Sequence, residues 1–138
     1  MNTNKTMGKL YNLPSPDLNS EDRLGMWYIE FYNKQYDDIA VLDIIRMLNQ
    51  GFLVEVAVEI AVEHLYKEPL AGEMYDGQLM EALFSIDLNQ YNNLLEDVKK
   101  MIADISLKLD ELDWNSTDDK EEFSRLLQAF QTKISKTG

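Results

Sequence analysis

The chain is 138 residues long, carries 13 Lys and Arg against 25 Asp and Glu, and has a formal net charge of −12, with 45% hydrophobic residues. That length suits one domain able to bury a continuous core, and the hydrophobic share, with five Phe, seven Tyr and two Trp, argues against intrinsic disorder. No Cys is present, which excludes a disulfide scaffold, a thiolate metal site and cysteine nucleophilic catalysis, while the acidic balance argues against nucleic-acid binding.

Residues 1–19 are polar, with Pro14 and Pro16 around Ser15, and read as a flexible leader with a short extended contact at Leu10, Tyr11 and Leu13; residues 20–138 read as a single helical domain. The first 23 residues hold no apolar run of the kind a signal peptide needs. The longest apolar stretches further on are broken by Glu at every fourth position, so a cytoplasmic, soluble protein without membrane contact is expected.

Ser20, followed by Glu21, Asp22 and Arg23, marks a helix start over residues 20–32, with Met26, Trp27, Ile29, Phe31 and Tyr32 on its buried face. A second helix is predicted from Asp37 or Asp38, burying Ile39, Leu42, Ile45 and Leu48 and stopping at Gly51 in the left-handed conformation. Residues 54–62 are ambiguous. Val54, Val56, Val58, Ile60 and Val62 alternate like a strand, yet the same letters make a helix in which Glu55, Glu59 and Glu63 form one i, i+4 stripe. The helix is favoured, because the segment runs on through His64, Leu65 and Tyr66 and no comparable strand exists to pair with it.

Pro69 ends that helix, and Gly72 and Asp76-Gly77 mark a connecting loop over residues 68–77. Leu79, Met80, Leu83 and Phe84 form a short helix ending near Asp87. A long amphipathic helix then runs from about Asn89 to Trp114. Asn115, Ser116 and Thr117 lead into Asp118, Asp119, Glu121 and Glu122, where Ser116 and Asp119 suit a capping box. The last helix carries Phe123, Leu126, Leu127, Phe130 and Ile134, with Lys133 and Lys136 at the negative end of its dipole. The fold class is therefore all-α, about six helices, with the last two expected to form an antiparallel hairpin.

No catalytic, cofactor-binding or metal-binding constellation emerges. The six glycines match neither phosphate-cradling spacing, and a helical di-metal centre needs paired Glu-x-x-His motifs, whereas the chain has one His, His64, with Ala61 three residues before it. No Gly-x-Ser-x-Gly elbow accompanies that His, and the paired acids near helix starts read as caps. A non-enzymatic protein without cofactors is expected.

Charge distribution is more telling. Residues 37–97 hold thirteen carboxylates against Arg46 and Lys67, with Tyr66, Tyr75 and Tyr91 interleaved. Acidic groups steer encounter with a basic protein, and Tyr gives large contact area at low entropy cost. The residues expected to make the contacts are Glu55, Glu59, Glu68, Glu73, Tyr75 and Asp76; the plainer alternative is a solvated helix face and a structural loop. Trp27 with Glu30, Phe31 and Tyr32, then IIRMLNQ over residues 44–50, then residues 54–61 leading into PLAGEMYDGQL over 69–79, resemble immunity proteins of bacterial contact-dependent growth inhibition systems. The resemblance covers about residues 26–88. It implies a small cytoplasmic protein that binds and neutralises the C-terminal toxin domain of a cognate effector, often a nuclease with a basic cleft. The other class consistent with the charge is an acidic helical adaptor or antitoxin-like regulator of another basic protein.

Overall fold

The computed structural model of the chain describes residues 5–114 and 116–135. Asn115 and Lys136 lie outside the described residues. Among the described residues seven α-helices follow one another: α1 (Met7–Leu10), α2 (Arg23–Asn33), α3 (Val41–Gln50), α4 (Val54–Lys67), α5 (Gln78–Phe84), α6 (Asn92–Ser106) and α7 (Thr117–Ser135). Single 3-10 turns occupy Tyr36–Asp38, Leu88–Gln90 and Leu109–Glu111. The fold is all-α, and among the described residues extended pairing is limited to one isolated bridge, Thr6 with Gln35. The chain groups into two compact units, Met1–Asp43 and Ile44–Gly138.

In the first unit, the segment read as a polar leader contains α1, whose Met7 is fully buried and whose Thr6 hydroxyl accepts from the Lys9 amide. α1 packs on α2. α2 begins three residues later than Ser20 suggests, because Asp22 is the residue that caps it, its carboxylate accepting from the Gly25 amide at 3.1 Å. The ends of the helix also decide which face is inside. Trp27 and Phe31, four residues apart, are buried with ring centroids 5.0 Å apart, while Met26, expected in the core, is 54% exposed.

α3 starts at Val41 rather than at Asp37 or Asp38, which form the 3-10 turn, and Leu42 is partly exposed where the periodicity places it inside. The cause is Asp43. Its carboxylate reaches back to the Ala40 amide at 2.9 Å, the reciprocal half of a capping box, and so fixes the first turn. The same buried carboxylate accepts from Trp27 Nε1 at 2.8 Å and from Lys34 Nζ at 2.6 Å. One of the thirteen carboxylates of residues 37–97 is thus an internal tie.

The second unit begins at Ile44, within α3. Gly51 takes φ 64°, the Phe52 amide donates to Met47 O and the Gly51 amide to Leu48 O, a Schellman closure that matches the sequence expectation. The ambiguous segment is helical: α4 buries Ala57, Val58, Ile60, Ala61 and Leu65 and leaves Glu55, Glu59 and Glu63 exposed. It packs on α5 and α6. His64, half-buried on α4, has its pKa held below the ordinary 6.5, chiefly by desolvation and next by Lys67.

α6 buries Leu94, Leu95, Val98, Met101, Ile102 and Ile105 but ends at Ser106 instead of reaching Trp114. Beyond it Leu107 is 84% exposed, and the Leu109 carbonyl, which a continued helix would give to residue 113, accepts from the Trp114 indole at 2.7 Å. α7 packs on α6; its Ser116 hydroxyl accepts from the Asp119 amide at 3.1 Å, and Phe123, Leu127, Phe130 and Ile134 are buried. Lys133 crosses to α5 and donates to Phe84 O and Ile86 O, satisfying carbonyls at that helix's end.

Two outcomes follow from these ties. Asp43→Ala leaves the Trp27 indole and the Lys34 ammonium without their acceptor and is expected to cost about 2–3 kcal/mol in urea denaturation, with Asp43→Asn costing less. His64 works through pH. Because its pKa is lower folded than unfolded, the unfolded chain takes up the proton first, so the contribution is present above about pH 6.5 and is lost as pH falls through the folded value. Denaturation midpoints of His64→Gln, measured from neutral pH down to about pH 5, are expected to fall less steeply than those of the parent chain.

Candidate functional site

All six residues expected to make contacts are exposed, but they do not form one cluster. Glu55 lies in the first turn of α4 and Glu68 caps its other end. At 1.5 Å per residue, these two are roughly 20 Å apart along the helix axis. Glu55 lines a shallow hollow with Tyr91, Asn92 and Asn93. Glu59 is exposed on the same face one turn further on, and Glu73, Tyr75 and Asp76 stand together on the loop after α4.

That loop is held from several directions. The Ala71 amide donates to Glu68 O, the Gly77 amide to Leu70 O and the Leu79 amide to Ala71 O, at 2.9–3.0 Å. The Gln78 side-chain oxygen accepts from both the Glu73 and Met74 amides at 2.8 Å. Gly72 has no room for a side chain, since a Cβ there would stand 1.9 Å from the Tyr75 carbonyl oxygen. Tyr75, 51% exposed, donates its hydroxyl to Glu81 at 2.6 Å, a bond that raises its pKa. The ring is thereby pinned to the start of α5 rather than left to swing.

Tyr66 is engaged differently. Its hydroxyl donates to Asp104 at 3.1 Å, and Lys100 donates to the same carboxylate at 3.1 Å while lying 5.9 Å from the Tyr66 ring centroid. Hydrogen bonding to Asp104 raises the Lys100 pKa, and bonding to Lys100 lowers that of Asp104. A cation of α6 is therefore matched locally. Lys120 of α7 is likewise paired with Asp110.

Sequence reasoning missed a cavity of ≈ 580 Å³ behind the loop. Leu70, Trp114, Phe123 and Leu126 give it apolar walls, and the Trp114 and Phe123 rings meet at a tilt of 53° with centroids 5.6 Å apart. Asp76, Glu81, Asp119 and Glu122 also line it, and among the described residues no Lys, Arg or His does. Met74, at its margin, is 80% exposed. The acidic start of α7 was legible only as a capping signal, because nothing local in residues 116–122 says which neighbour the first turn faces. Among the described residues, no group of three or more His, Cys, Asp or Glu is arranged to hold a metal ion. No helix among them is long and apolar enough to cross a membrane.

Because Gly72 admits no Cβ, Gly72→Ala is expected to displace the loop backbone, cost about 1–3 kcal/mol, and speed hydrogen exchange at the Glu73 and Met74 amides.

No curated protein matches the chain. A family model described as CDI immunity proteins matches residues 9–102, a stretch that includes α2 to α5, the loop over residues 68–77 and most of α6, and ends before α7. With more than half of its length matched, this all-α chain belongs to the family of CDI immunity proteins, those of contact-dependent growth inhibition.

Proposed function

We propose that the chain binds a cognate toxin domain in the cytoplasm, without catalysis, and neutralises it through its acidic face, the toxin being a nuclease with a basic cleft. The family match over residues 9–102 carries the first part, since a CDI immunity protein implies a toxin partner. The second part is supported by the exposed carboxylates Glu55, Glu59, Glu68, Glu73 and Asp76, with Tyr75 held among the last of them. Such a face attracts the charge that a nuclease needs in order to hold phosphates, so it competes with substrate for the same cleft.

The stripe also has an internal cost that a cationic partner relieves. Glu55, Glu59 and Glu63 repel one another at i, i+4 by a few tenths of a kcal/mol per pair, and a cationic surface laid along them relieves that repulsion. The loop contributes the opposite quality, a rigid and already ordered contact that loses little entropy on docking.

Reversing Glu59, Glu73 and Asp76 together to Lys is expected to abolish protection of cells that express the toxin encoded beside the gene. It should also lower affinity for that toxin domain by at least about 100-fold. The association rate of the parent pair should fall as salt rises from about 50 to 500 mM. Protection that survives the triple reversal would leave the acidic face without a role, and failure of the parent chain to bind that toxin domain would remove the reading altogether.

A further inference from the structure

We infer that the cavity between the loop over residues 68–77 and the first turns of α7 receives an arginine or lysine side chain of the toxin, together with an apolar neighbour. This rests on the reading that the partner is a toxin domain. What carries it is the combination of walls. Asp76, Glu81, Asp119 and Glu122 line a space whose remaining walls include Trp114, Phe123 and Leu126, and among the described residues no cation lines it. Lys120, the cation in the first turn of α7, is committed to Asp110.

The lining separates one kind of cation from another. A small inorganic ion needs several oxygen ligands at bonding distance, and no such group occurs among the described residues. A guanidinium or ammonium on an aliphatic stem needs what is present: carboxylates for the charged head and aromatic or aliphatic surface for the stem. Arginine fits best, because its weakly hydrated planar head stacks on indole while donating in a fork to carboxylate. The volume of ≈ 580 Å³ accommodates one such side chain and part of a neighbour. Met74, 80% exposed beside the opening, offers an adaptable apolar contact to that neighbour.

The cavity also differs in origin from the stripe on α4. Asp119 and Glu122 lie beyond residues 9–102, so the family match does not extend to this wall. The geometry thus assigns to α7 a part in recognising the toxin, in addition to its part in the core.

The test compares two pairs of charge reversals on the same helix. Asp119→Lys with Glu122→Lys alters the cavity; Asp118→Lys with Glu121→Lys makes the same change in net charge at exposed positions that do not line it. Each full-length protein is titrated with the toxin domain encoded beside the gene, and its fold is checked by circular dichroism. The cavity pair is expected to weaken binding by about 50-fold or more, the other pair by less than about 5-fold. Should the lysine pair not fold, Asp119→Asn with Glu122→Gln is expected to weaken binding by about 10-fold. Equal weakening by both reversals, or none, overturns the cavity as the receiving site while the parent chain's binding keeps the toxin-neutralising reading intact. No binding by the parent chain overturns both.

Discussion

The second unit is organised by the burial of α4. Ala57, Val58, Ile60, Ala61 and Leu65 leave solvent together, each buried apolar area contributing about 25 cal/mol per Å², and this is possible only if the segment is a helix packed on α5 and α6. A strand over the same letters would put Ala57, Ala61 and the three glutamates on one side and the valines on the other. As a helix, the only positions left for charge are one step in four. The Glu stripe is therefore a by-product of core formation, and its straightness follows from the helix beneath it. The position of the loop follows too, because it leaves from the Glu68 cap and returns at α5.

Where the sequence and the structure agree, the signal is local and repeated. The apolar positions of α6 and α7, the left-handed Gly51 and the Ser116 cap each lie within a few residues of what they control. Where they part, a single long-range bond decides. Asp43 answers to Trp27 and Lys34 as well as to its own helix, which is why α3 begins at Val41 and Leu42 turns outward. The indole of Trp114 takes the Leu109 carbonyl, and α6 stops short of its apolar period. Of the candidate contacts, the exposure of Glu55, Glu59, Glu68, Glu73, Tyr75 and Asp76 was legible from spacing and from turn residues. Their spread over roughly 20 Å followed from helix rise once the helix was established. That the carboxylates of α7 share a cavity with Asp76 and Glu81 was not legible, since the partner of a first turn is set by tertiary contacts with a distant part of the sequence.

The two acidic features differ in shape, and that difference governs what each can do. The stripe on α4 is convex and exposed, so its field extends into solvent, and salt weakens it. The cavity is concave and part apolar, its carboxylates belonging to exposed residues beside Trp114 and Phe123. Several cations, among them Lys100, Lys120 and Lys133, are tied to Asp104, Asp110 and backbone carbonyls, so they do little to offset either field.

Lys133 joins α7 to the far end of α5, and α7 supplies one wall of the cavity. Both stand after α6 in the chain, whereas the stripe and the loop come before it. Removing α7 would therefore leave the α4 glutamates and the Gln78 anchor of the loop in the sequence, while taking away one wall of the cavity and the ammonium that closes the end of α5. The two acidic features are thus separable by position in the chain, one encoded before α6 and the other completed only by α7.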